Sequence, residues 1–191
     1  ATFSHETDMA MEDASTQVDT AFTRQGLRGL SFENAWGGAT SLLRRTYTKD
    51  LTGVDLAITG VPFDQAVSHR SGTRFGPRAI REASAMMCYE RAYGWPTNPL
   101  EDMNIVDYGD IAIDNMSTER TVHHVRERVA EIARTGALPF IVGGDHSLEY
   151  PNIAGLADVH GKGSFGVVHF DSHFDAGKDQ PHFITHGAPV Y

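Results

Sequence analysis

Phe165-Gly166-Val167-Val168-His169-Phe170-Asp171-Ser172-His173-Phe174-Asp175 is a nearly continuous apolar run that ends in two carboxylates and an imidazole at alternate positions. A short apolar run without polar alternation is what a strand covered on both faces needs, so 165–170 is predicted to be a strand of a buried parallel sheet. Side chains two residues apart in an extended segment point the same way. Asp171, His173 and Asp175 would then converge at the strand's end. Oxygen and nitrogen donors aimed at one spot suit a divalent first-row metal. A solvated loop with turn-forming aspartates and an incidental histidine fits this segment alone equally well.

Working outward, the same kind of unit recurs. Residues 54–61 form an apolar strand pattern, followed by a Gly-rich loop and a helix pattern over 77–89 with Pro77 at its first position. Residues 104–108 give another strand, ending at Gly109-Asp110. Val122, Val125, Val129 and Ile132 recur at spacings of three and four, which predicts a helix over 118–134 closed by Gly136. Residues 138–142 predict a strand and 147–159 a helix. Residues 32–47 give only a turn at Gly37-Gly38 and a short helix or loop. Strands alternating with helices imply crossover connections and a mostly parallel sheet between helical layers, an α/β fold of three layers. Ligands of such sheets bind at the carboxyl ends of strands. Gly143-Gly144-Asp145-His146-Ser147 and Asp171 to Asp175 both fall there.

Composition narrows the function. The 191 residues suit one domain, and the net charge of −9 argues against a nucleic-acid surface. One cysteine cannot form an internal disulfide, no apolar run is long enough to span a membrane, and the polar N-terminus lacks a signal core. These features lead us to expect a cytoplasmic protein that binds neither membrane nor nucleic acid. Residues 1–30 lack periodicity and are expected to form an arm, with the α/β domain over 31–191.

His146 and His186 are the other candidates. Gly143 and Gly144 permit a tight turn out of the strand, and Asp145 and Ser147 could cap the next helix. His186 precedes Gly187, which lets a ligand approach the backbone closely. Each histidine also has a bland reading, as a satisfied side chain near a helix start and as a loop residue. His169 is expected to be a core histidine, and Cys88 a buried thiol. For the arginines at 70, 74, 78 and 81, structural salt bridges or subunit contacts are expected over an anion site.

Gly-Gly-Asp-His-Ser at 143–147, Asp-x-His-x-Asp at 171–175, His186-Gly187 and the segment from Arg70 to Arg81 together resemble the ureohydrolase family of arginases, agmatinases and related guanidino hydrolases. The resemblance runs over about residues 30–191 by motif order. It implies a three-layer arginase/deacetylase-like αβα domain. It also implies hydrolysis of a guanidino compound to urea and an amine, by a metal-bridging hydroxide on two manganese ions. Nickel, cobalt, iron or zinc would satisfy the same donors. By resemblance, His146, Asp171 and Asp175 hold one ion, His173 helps hold the other, and Asp171 bridges them. Asp175 orients the nucleophile and His186 shuttles the proton. A homo-oligomer, trimeric or hexameric, is implied as well.

Two departures from the family pattern qualify these expectations. The family carries a later Asp-x-Asp segment that completes the second metal site. The 191 residues contain none, so they correspond to the N-terminal part of the family's domain, with weak metal binding and little activity expected of them alone. Arginases also carry a longer loop after Asp-x-His-x-Asp, with an Asn and a Ser for an amino acid's carboxylate. Residues 176–185 are shorter and lack that pattern, which favours agmatine or a guanidino acid such as guanidinobutyrate over arginine. The competing readings are a mononuclear-metal amide deacetylase on a related fold and a non-catalytic truncated family member.

Overall fold

A computed structural model describes residues 34–88 and 91–175. The expected arm at 1–30, His186 and the loop at 176–185 lie outside the described residues. Four strands, β1 (Thr46–Tyr47), β2 (Leu56–Gly60), β3 (Ile105–Asp110) and β4 (Leu138–Val142), form one sheet in the order β1-β3-β2-β4, with every described pairing parallel. The helices are α1 (Gly76–Ser84), the single turn α2 (Pro99–Asp102), α3 (Thr118–Arg134) and α4 (Glu149–His160).

Alternation along the strands divides the core between two faces. Ala57 of β2 and Val106 and Tyr108 of β3 pack with Ile132 of α3. Ile58 and Ile105, on the opposite face, pack with Leu42, Leu100 and Val142. Beyond the strand ends, Val61, Phe63 and Ile111 meet Val125 and Val129 of α3 and Leu148. Helices on both faces of a parallel sheet give the three-layer arrangement expected from the alternating pattern.

Helix α3 spans the predicted residues because three signals agree. Ser117 accepts the Arg120 N–H at its start, Val122, Val125, Val129 and Ile132 form its buried stripe, and Gly136 follows with φ of +88°. Each buried Val or Ile contributes about 1.5–3 kcal/mol of transfer free energy. Helix α4 packs on α3 through Gly155, where a Cβ would crowd Arg126 O and Val129.

Helix α1 stops short of the predicted 89 and tightens into a 3₁₀ turn at Ala85–Met87. Ser84 explains the change: its hydroxyl donates to Arg81 O and accepts the Leu43 N–H, tying the helix end to the turn at Leu42–Arg44. Arg81 crosses from α1 to the sheet. Its Nε lies 2.7 Å and its Nη2 3.0 Å from the buried Asp107 carboxylate, and its Nη1 lies 2.6 Å from Asp110. Burial lowers the guanidinium's pKa, and these carboxylates more than offset that, so it lies above its ordinary value. Arg74 pairs likewise with Asp64. Both are the structural salt bridges the sequence suggested.

The predicted strand at 165–170 is not formed: no sheet pairing involves it among the described residues. Phe165 and Val167 face α4, while Val168 and Phe170 are 80% and 94% exposed. A doubly covered strand needs backbone partners and apolar material on both sides. Nothing described covers the outer side, and Leu138 and Phe140 of the edge strand β4 are also exposed.

Candidate metal centre

The site begins where β4 ends. Gly143-Gly144 turns the chain under the loop that follows β2, and Gly144 N–H donates to Val61 O. A Cβ at 144 would collide with Phe63 O and Val61 O, so glycine is required by close approach of two backbones. Asp145 fastens the two loops. Its backbone N–H donates to Phe63 O, its Oδ2 accepts the Ala66 N–H at 3.0 Å, and its Oδ1 accepts the Ser147 N–H at 3.0 Å. Asp145 is thus the cap that the sequence suggested. Ser147 instead donates its hydroxyl to Asp145 Oδ1. The 3₁₀ turn His146–Leu148 then leads into α4.

That turn presents His146 to three carboxylates. Its Nε2 lies 3.0 Å from Asp175 Oδ2, 3.1 Å from Glu149 Oε2 and 3.7 Å from Asp171 Oδ2. His169 joins them: its Nδ1 lies 3.2 Å from Glu149 Oε1 and its Nε2 3.5 Å from Asp171 Oδ2. The two imidazoles meet edge to face at 5.2 Å. One donor atom from each of His146, His169, Asp171 and Asp175 falls within 4.8 Å of the others.

Residues 171–175 are a bend and not an extended strand, and Asp175 has φ of +45°, a left-handed conformation that Asp adopts more readily than most residues. Sharing of one face at alternate positions therefore does not describe this segment. The turn brings Asp171 and Asp175 together but leaves His173 outside, with its side chain 81% exposed and its Nδ1 3.6 Å from Asp171 Oδ1. The Asp171 carboxyl is held below its ordinary pKa, first by the His173 N–H it accepts at 2.9 Å and then by His169, the Ser172 N–H and the nearby His146.

His146 Nε2, His169 Nε2 and Glu149 Oε2 are buried without a hydrogen-bond partner. Carboxylate oxygens lie near both imidazole nitrogens, yet the geometry is not that of hydrogen bonds. Lone pairs converging on a common space fit a cation, and the mixed imidazole–carboxylate set suits manganese, iron, cobalt, nickel or zinc. A cavity of about 380 Å³ adjoins, lined by Gly143, Gly144, Asp145, His146, Glu149 and Asn152.

The model of the Arginase family matches residues 54–191, which include both motifs. The chain belongs to the arginase family. It is 40% identical over 182 residues to an agmatinase of Chromobacterium violaceum, covering 95% of this chain and 56% of that one. It is 37% identical over 145 residues to a guanidinobutyrase of Pseudomonas aeruginosa, covering 73% and 44%. Among solved structures, a hypothetical agmatinase from Burkholderia thailandensis superposes with a TM-score of 0.83 at 36% identity, covering 90% of this chain and 54% of that one. The chain thus spans about half the length of the relatives it matches.

Two members of the cluster escaped the sequence reading. His169 was expected in the core, although it stands two residues before Asp171 in the same run. Glu149 lies three residues past His146, a spacing that places two side chains on one helical face. Among the described residues no helix is long and apolar enough to cross a membrane. Cys88 is buried, as expected.

Proposed function

We propose that this chain carries the metal-binding half of a guanidino-compound hydrolase, acting on agmatine or on a guanidino acid such as guanidinobutyrate to give urea and an amine. The convergence of His146, Asp171 and Asp175 at the end of β4, in the order and spacing of the family's motifs, carries this reading. His146, Asp171 and Asp175 would hold one divalent ion, and Asp171 with His173 part of a second; manganese is the ion we favour. When bound, a pair of divalent ions supplies the Lewis acidity that makes water a nucleophile near neutral pH.

The chain's own side chains do the rest. Asp175 accepts a hydrogen bond from the attacking water and aims it at the guanidinium carbon. The amine nitrogen must take up a proton as its bond to that carbon breaks, and His186 is assigned as its donor. The loop at 176–185 would meet the substrate's tail: Lys178 or His182 a carboxylate, Asp179 an amine. Residues 1–30 are assigned to an arm, residues 31–191 to the α/β domain, and the protein to a cytoplasmic homo-oligomer, a trimer or hexamer. The agmatinase and guanidinobutyrase relatives support the substrate class.

The test is urea release by the gene product carrying these 191 residues, loaded with manganese and offered agmatine, guanidinobutyrate, guanidinopropionate and arginine. Turnover of agmatine or guanidinobutyrate, abolished by His146→Asn, is expected. Turnover of arginine alone, or release of acetate from an acetyl-lysine peptide without any urea, would overturn the reading.

A further inference from the structure

We propose that Glu149 and His169 are additional members of the metal site in this chain, forming a carboxylate–imidazole pair at its inner wall. The inference rests on the metal-binding reading above. Its starting point is the pair's asymmetry: each residue has one atom engaged with the other and one buried atom facing the cluster unpartnered.

Glu149 Oε1 stands 3.2 Å from His169 Nδ1, an ion-pair contact between the two side chains. With Nδ1 turned to Glu149, the ring presents Nε2 to the cluster. That nitrogen points to Asp171 Oδ2 at 3.5 Å and is buried with no hydrogen-bond partner. Glu149 Oε2 is orphaned in the same way beside His146 Nε2. Burying a carboxylate oxygen without a partner is costly, and so is leaving two imidazole nitrogens unpaired. One cation relieves all three at once.

The fold builds the pair from two directions. Glu149 is the first residue of α4, held one turn after His146 by the Asp145 cap. His169 comes from the run leading to Asp171. Glu149 therefore couples the ligand group from the β4 loop to the group from the 165–175 segment. Because that segment has no sheet pairing, the His169–Glu149 contact supplies a fixed point that the backbone does not. His169 Nε2 would act as a nitrogen donor beside Asp171, and Glu149 Oε2 as an oxygen donor beside His146.

Mn²⁺ titration calorimetry and the visible spectrum of the Co²⁺-loaded gene product carrying these 191 residues test this, with Glu149→Gln, His169→Gln, His146→Asn and the surface control His123→Gln. Glu149→Gln and His169→Gln should each weaken Mn²⁺ binding about ten- to hundredfold and alter the Co²⁺ bands, while His123→Gln changes neither. Metal-free melting should stay at the wild-type temperature in Glu149→Gln, separating a ligand role from a packing role. If His169→Gln fails to fold, Glu149→Gln decides. Wild-type affinity and spectrum in Glu149→Gln and His169→Gln, with binding lost in His146→Asn, would overturn this inference alone. A wild-type gene product that takes up neither ion would overturn the metal-binding reading and this inference with it.

Discussion

Asp145→Asn replaces one carboxylate oxygen with an NH₂ group and should damage both stability and metal binding. Asp145 is 7% exposed and uses both carboxylate oxygens: Oδ1 for the Ser147 N–H and hydroxyl, Oδ2 for the Ala66 N–H. Asparagine has one oxygen. If it serves Ser147, the amide NH₂ faces the Ala66 N–H, donor against donor; if it serves Ala66, the conflict moves to Ser147 N–H. Either way one half-buried or buried N–H loses its acceptor, which costs about 1–3 kcal/mol, and the surviving bond is no longer charge-assisted. We expect a loss of about 2 kcal/mol, roughly thirtyfold in the folded-to-unfolded ratio, and a fall in the urea midpoint at unchanged m. The loop at 65–75 should become more sensitive to protease, since Ala66 is its tether to the β4 turn. Mn²⁺ affinity should drop as well, because the same turn aims His146. An Asp145→Asn protein with wild-type midpoint, cleavage pattern and Mn²⁺ affinity would refute the idea that one carboxylate fastens the two loops.

Two further outcomes follow from the buried charges. Arg81→Met leaves Asp107 buried and uncompensated, and should cost about 3–5 kcal/mol in chemical denaturation. Asp64 has its carboxyl held below its ordinary pKa of 3.8, first by the Arg74 guanidinium and then by the Gly72 and Arg74 N–H groups, against an opposing push from burial. A folded pKa below the unfolded one means that the unfolded chain binds more protons as pH falls. The stabilisation is therefore present above about pH 4 and lost as pH falls through the folded value. Urea midpoints measured from pH 6 down to pH 3 should fall more steeply for wild type than for Asp64→Asn; parallel slopes would count against the Asp64–Arg74 tether.

The sequence was most legible where local and long-range signals agreed. Helix α3 has a cap, an apolar stripe and a closing glycine in register, and its span matches the pattern residue for residue. β4 was legible for its apolar run and for the glycine pair after it. Helix α1 was harder, because its end is set by Ser84 reaching Leu43 forty-one residues away, which no local pattern records. Asp107 was read as part of a strand, but its pairing with Arg81 depends on the crossover that brings α1 over β3. His169 and Glu149 were missed for the same reason: each looks ordinary alone, and only the turn after β4 brings them together.

The 165–175 segment separates two things that a strand prediction joins. An apolar run specifies a tendency to be buried, not a partner, and Val168 and Phe170 remain exposed because the described chain offers their outer side nothing to pack against. Its polar end behaves differently. Asp171 and Asp175 reach His146 without the sheet, through a bend that turns on the left-handed Asp175 and on the Asp171 carboxylate accepting the His173 N–H. The ligand group is thus organised by local turn chemistry and by Glu149, whereas the strand behind it depends on neighbours. A cation bound between the His146 turn and the Asp171–Asp175 bend would link two segments that share no ladder hydrogen bonds. The free energy of metal binding would then also be free energy of folding for this edge of the domain.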